Sequence, residues 1–189
     1  MKHFLKLAAL TLTVLVATPA LSQDTAKPAQ AFPQGTTPEL KVGQIYVVKK
    51  EGDWQVRCVK VAEGPEPCHA YQLIHDDQGN AVAEINVVHL PGGGAVVAGA
   101  NVITPLGTLL QNQMVFAING SEPKSYPYQW CEVAGCIAQM GLTGLDLEAL
   151  KSGKAATITI SSIGGDAAVV LPVSLNGFSA TFSAVLVKK

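Results

Sequence analysis

The segment Trp130-Cys131-Glu132-Val133-Ala134-Gly135-Cys136 places two thiols with four residues between them, and Cys58 and Cys68 stand earlier in the chain with nine between them. Thiols spaced in this way could form a redox centre, a metal site or a covalent staple. A thioredoxin-type centre needs C-x-x-C, which is absent. Zinc sites usually bring close cysteine pairs, and the nine-residue gap departs from that spacing. The histidines beyond the first few residues are His69, His75 and His89. No H-E-x-x-H occurs, and only His69 and His75, an even number of positions apart, could share a strand face. Asp76 and Asp77 open an Asp-Asp-Gln-Gly-Asn run that lacks the remaining ligands of a calcium loop and reads as a turn. Pro91-Gly92-Gly93-Gly94 carries neither the G-x-G-x-x-G spacing nor a P-loop lysine, and no serine stands in a G-x-S-x-G elbow. With no nucleophile, base or metal constellation, the expectation is a protein that is not an enzyme and needs no cofactor or metal.

The compartment decides what the cysteines do. Lys2 and Lys6 precede an apolar run from Leu7 to Ala17, followed by Pro19 and the small residues of Ala20-Leu21-Ser22. That order is a secretory signal peptide over residues 1–22, and its apolar core is shorter than the roughly 20 residues that span a bilayer. The expected location is the periplasm or outer envelope, an oxidising setting in which an even cysteine count implies disulfides. Four cysteines allow three pairings. The sequence-local one, Cys58 with Cys68 and Cys131 with Cys136, is the easiest because each pair can bridge neighbouring strands of a hairpin. The shorter loop should contribute near the low end of the usual ~2–4 kcal/mol.

Without the leader, basic residues fall from 13 to 11 against 14 acidic ones, a formal charge of about −3. No basic stripe is present to neutralise phosphates, so nucleic acid is not an expected partner. Residues 23–43, rich in Pro, Ala, Gln and Thr, read as a disordered lead-in. From residue 44 to 189 short runs rich in Val, Ile, Thr and aromatics alternate with Gly, Asn, Asp and Pro. This pattern predicts an all-β domain, a two-sheet β-sandwich of about ten short strands with one short helix and two local disulfides. Gly52, Gly79, Asn119-Gly120 and Gly164 mark hairpin turns. The helix is Leu145 to Ser152, with Asp146 as N-cap and Gly153 as stop.

From Ile85 through Ser121 the chain carries no Asp, Glu, Lys or Arg. One reading is core strands with a loop. The sharper reading is an exposed apolar loop whose Val96, Val97, Val102, Ile103 and Leu106 touch a membrane surface, a partner or a second copy. Trp54 and Trp130, each beside a cysteine, are expected to pack in the core over the disulfides. A carbohydrate platform would instead need exposed polar neighbours, which the sequence does not place.

An ordered set of features spans about residues 44 to 187: Gly52-Asp53-Trp54 with Val56 and Cys58; Cys68; Leu90-Pro91-Gly92; Cys131 with Gly135-Cys136; Leu171-Pro172-Val173-Ser174-Leu175; and Gly177-Phe178. It resembles the invasion-associated locus B family of exported α-proteobacterial proteins, departing from it in a longer, Gly- and Ala-rich segment from Gly92 to Leu109. The resemblance implies a compact β domain of the envelope, named for a locus that promotes entry of a pathogen into host cells, with no established catalytic activity. The expected function is contact with an envelope or host protein, or peripherally with a membrane; the alternative is a periplasmic small-ligand binding module. The sequence leaves the oligomeric state open.

Overall fold

The structure, a computed structural model, describes residues 35–92, 94–165 and 167–187. The expected leader and most of the expected lead-in lie outside these residues. The chain divides between Pro38 and Glu39, and every element named below belongs to the second unit, Glu39–Lys189.

Two sheets carry the fold. Strands β1 (Ile45–Glu51), β2 (Trp54–Val59), β3 (Cys68–His75), β4 (Ala81–His89) and β5 (Val96–Thr104) run as successive antiparallel neighbours. Strands β6 (Met114–Ile118) and β7 (Lys124–Tyr126) form the next hairpin, after a short 3-10 turn at Leu110–Asn112. Then β8 (Tyr128–Glu132) and β9 (Gly135–Thr143) return to the first sheet, giving the seven-stranded order β1-β2-β3-β4-β5-β9-β8. Helix α1 (Gly144–Ser152) leads to β10 (Ala155–Ile160) and β11 (Val169–Ser174), which complete the four-stranded sheet β11-β10-β6-β7. Helix α2 (Phe178–Val187) closes the described chain.

The predicted two-sheet architecture and both local disulfides are present, Cys58–Cys68 and Cys131–Cys136. Each joins residues directly opposite in an antiparallel hairpin. The turns fall where glycine and asparagine predict them, and Gly52, Gly79, Asn119, Gly120 and Gly164 all take positive φ. Asp76 closes its turn by accepting from the Gln78 and Asn80 amides at 3.0 and 2.8 Å. Helix α1 starts one residue earlier than expected. Thr143 is its N-cap, and Asp146 is the N3 partner of a capping box rather than the cap itself.

Among the described residues eleven strands match the expected about ten, and one expectation is corrected: two helices stand where one was expected. The second helix contains Thr181-Phe182-Ser183-Ala184-Val185-Leu186-Val187, a run whose β-branched and aromatic composition favours a strand. Packing overrides that preference. Phe178, Phe182 and Val185, at helical spacing, are buried together, Phe178 stacks on Phe182 at 5.6 Å and meets Trp54 edge-on at 4.9 Å. Gly177, at φ 89°, makes the approach possible, since a Cβ there would overlap the Glu51 carbonyl.

The second layer covers one face of the seven-stranded sheet only. Strand β11 packs on β3 and β7 on β9, α2 lies against β1 to β4, and α1 against β5 and β9. Between the layers lie Trp54, Val56, Ile74, Ile85, Val102 and Met140 from one side and Phe116, Ile158 and Leu171 from the other. One polar device spans this core. The buried Gln72 on β3 donates from Nε2 to the Ser174 carbonyl at 2.9 Å and accepts the Ser174 amide on Oε1 at 3.1 Å. Trp54 Nε1 donates to the same carbonyl at 2.7 Å, and Ser174 Oγ donates to Asp53 at 2.6 Å.

Removing the Gln72 amide strands the buried Ser174 N–H and opens a void. Gln72→Ala should therefore destabilise the domain by about 2–3 kcal/mol, lowering its melting temperature by roughly 5–10 °C. Thermal unfolding followed by circular dichroism checks this, and an unchanged melt would show that the amide bridge contributes nothing.

Candidate functional site

The face of the seven-stranded sheet turned away from the second layer is built by strict alternation. On β2 and β3, Gln55, Arg57, His69, Tyr71 and Leu73 point outward while Trp54, Val56, Ala70 and Gln72 point to the core. Register then lines up the outward residues across strands. Gln55, Tyr71, Asn86, Asn101 and Gln139 stand directly opposite one another in one row. Flanking it are the rows Arg57, His69, Val88, Gly99 and Gly141 on one side and Leu73, Glu84, Ile103 and Ile137 on the other, the latter ending at Trp130 on edge strand β8.

Charged groups on this face are tied to one another at its β2–β4 end. The Arg57 guanidinium lies 3.2 Å from the Tyr71 ring centre, and its Nε donates to Gln55 Oε1 at 2.9 Å. The Tyr71 hydroxyl donates to Glu84 at 3.0 Å. Burial, reinforced by the Glu84 carboxylate, holds the Tyr71 phenol above its ordinary value. Toward β9 the character changes. Gln139 Nε2 donates to Asn101 Oδ1 at 3.1 Å. Beside them Gly99 and Gly141 leave a shallow depression of about 330 Å3 bordered by Val88 and Leu90. A second depression of about 330 Å3, between Leu73, Val82, Glu84 and Ile103, lies near the other end of the same strands. Leu73, Val88, Leu90, Val96 and Trp130 are all exposed.

A larger cleft of about 590 Å3 opens where β3 runs beyond its pairing with β2 and faces the outer edge of β11. Lys50, His75 and Lys154 line it, but the polar groups Gln72, Ser174 and Asp53 are engaged with each other in joining the sheets. Gln72, Ser174 and Asp53 there hold the two sheets together.

The expected site residues separate in the structure. The four cysteines form their two staples. The charge-free run, read either as core strands with a loop or as an exposed apolar loop, includes β5, an interior strand of the seven-stranded sheet, in keeping with the first reading. Val102 is fully buried in the core, so it is withdrawn from the contact surface. Val97 and Ile103 are half-buried, and Val96 and Leu106 are exposed, Leu106 at 62% in the turn after β5. Trp54 is 1% exposed as expected, whereas Trp130 is 47% exposed. A bulge between Tyr128 and Trp130 sets Trp130 opposite the outward-facing Ile137. His69 and His75 sit at opposite ends of β3, about 20 Å apart at strand rise, so they do not converge. Among the described residues no group of three or more His, Cys, Asp or Glu could hold a metal ion. The amide row and glycine pair were absent from the sequence reading. Their signal was the period-two alternation of Asn86, Asn101, Gln139 and Gly141 between buried apolar neighbours.

Fold and surface together define a two-layer β protein, stapled at two hairpins, with one face of its larger sheet uncovered by the described residues. The family model described as Invasion associated locus B (IalB) protein matches residues 54–186, and the chain belongs to that family. A crystal structure of invasion associated protein B from Bartonella henselae has the same fold, with a TM-score of 0.64 over 74% of this chain and 94% of that chain at 24% identity. No curated protein matches the chain.

His69 gives the open face a pH dependence. Burial, then the Arg57 charge, lowers its pKa from 6.5, against a smaller opposing effect of Glu84. The unfolded chain therefore takes up the proton first as pH falls. The stability tied to neutral His69 is complete above 6.5 and is lost as pH drops below it. The melting temperature should be lower at pH 5 than at pH 7.5, and His69→Asn should shrink that difference. An equal difference in the variant would contradict the assignment.

Proposed function

We propose that this protein is exported to the cell envelope and works there by surface contact rather than catalysis, its contact area being the uncovered face of the seven-stranded sheet. Family membership supports the envelope role, and the leader-like amino terminus supports export. The observation that carries the contact reading is that Leu73, Val88, Leu90, Val96 and Trp130 are exposed on that one face, Leu73 beside one depression and Val88 and Leu90 beside the other. Exposed apolar groups gathered on one surface mark interaction sites, and tryptophan is enriched at them. A partner at the envelope or on a host cell fits this surface better than an anionic membrane, because the chain without its leader is acidic and offers no polybasic patch.

A carboxylate placed on each face separates the possibilities. Val88→Glu, on the open face, should reduce co-sedimentation with envelope fractions and binding to host cells at least about tenfold. Its stability should change by no more than about 0.5 kcal/mol, since the site is exposed. Val170→Glu, on the outer face of the four-stranded sheet, should bind as the parent does. Parental binding by Val88→Glu, or selective loss in Val170→Glu, would refute the assignment of the contact face.

A further inference from the structure

We infer that the open face binds a neutral oligosaccharide along the line from Trp130 to Asn86. The inference rests on the contact reading of this face and names the chemistry of its ligand.

Sugars offer a surface of two kinds, apolar C–H faces and hydroxyls that both donate and accept. Trp130 supplies the counterpart of the first. It is the exposed indole of the chain, 47% accessible on an edge strand, whereas Trp54 is 1% accessible. Its diagonal neighbour across the β8–β9 pair is Gln139, at a separation of about 7–8 Å that an aromatic side chain can cover. Asn101 stands opposite Gln139, and Asn86 opposite Asn101. Each carboxamide presents an acceptor and two donor hydrogens, the mixed set that hydroxyls require. The single bond from Gln139 to Asn101 leaves most of that capacity open, and among the described residues no side-chain hydrogen bond engages the Asn86 amide.

Position and charge narrow the ligand further. Trp130 and Asn86 lie three strand intervals apart, about 14 Å, which is the reach of a short oligosaccharide rather than one ring. The depression beside Asn101 and Gln139 exists because Gly99 and Gly141 carry no side chain, and its volume of about 330 Å3 accommodates a sugar substituent. No charged residue stands between Gln139 and Asn86 in the amide row, nor between Trp130 and Ile103 in the row beside it. The nearest carboxylate in the flanking row, Glu84, is taken by the Tyr71 hydroxyl, and Arg57 is stacked on the Tyr71 ring. A neutral glycan meets these partners without leaving a buried charge unpaired.

The test uses the full mature chain with three probes: triacetylchitotriose, maltotriose and N-acetyllactosamine. Isothermal calorimetry should find saturable binding of at least one. That sugar should also protect the exposed tryptophan from acrylamide quenching, because the other indole is already shielded. Trp130→Ala and Asn101→Ala should each weaken binding at least about tenfold, Trp130→Tyr should retain part of it, and Val170→Glu should bind as the parent. Circular dichroism melts of the variants confirm that they fold. Absence of saturable binding to all three sugars, or binding that survives both alanine variants, overturns the inference. The contact reading is judged separately. If envelope binding still depends on Val88 while no sugar binds, the partner surface is protein; if it does not depend on Val88, the contact reading itself fails.

Discussion

One side-chain amide determines how the layers of this protein meet. Gln72, buried at the centre of β3, pairs with both backbone groups of Ser174 as another strand would, and Trp54 adds a second donor to the same carbonyl. Ser174 ends β11, an edge strand whose outward N–H and C=O would otherwise be open to any passing chain. A buried amide left without partners costs about 1–3 kcal/mol for each group, so this bridge holds only in one registration of β11 over β3. From that registration the remaining arrangement follows. Asn176 and Gly177 are set against the β1–β2 turn, with the Asp53 amide donating to the Asn176 carbonyl at 3.2 Å. Helix α2 then starts where Phe178 can meet Trp54. Both helices and the smaller sheet end up on one face of the larger sheet, and none of the other described elements packs on the opposite face.

The staples, with Cys58 and Cys136 buried in the interior, also fix the register of that open face. A strand has a period of two, so a slip by one residue would exchange its inner and outer side chains. Cys131 is locked opposite Cys136, and the bulge just before it settles which way Trp130 points. Cys58 opposite Cys68 does the same for Arg57 and His69. Between the two clips, strands β3, β4, β5 and β9 pair without a covalent link, and there the amide row and the glycine depression lie. The surface is thus built on paired strands, which hold side chains more firmly than loops do.

Much of the scaffold was legible because its signals are local. Turn glycines, the cysteine spacing, the run of short β-rich segments and the end of α1 at Gly153 each depend on a few neighbouring residues. What was not legible depends on partners distant in sequence. Trp130 beside a cysteine reads as core until the bulge at Tyr128 and the edge position of β8 are known. Residues 181–187 read as a strand because their composition is β-prone; Trp54, far away in the chain, meets Phe178 at the start of the helix that forms instead. The charge-free stretch around Val102 reads as an exposed apolar loop or as core, and its position between β4 and β9 selects core. The outward face of that same strand carries Gly99 and Asn101 in place of charges. The missing charges that drew attention to a loop therefore belong to a neutral sheet face.

The central claim is that this neutral face is the one the protein presents to its partner. Hydroxyl-radical footprinting of the mature protein, alone and engaged with its envelope fraction, tests it most directly because oxidation reads side-chain exposure residue by residue. Engagement should protect Trp130, Leu73 and Val88, all exposed on the seven-stranded sheet, and leave Val170 and Pro172 on the outer face of the other sheet as reactive as before. Protection at Val170 and Pro172 with Trp130 still fully oxidised would contradict the account.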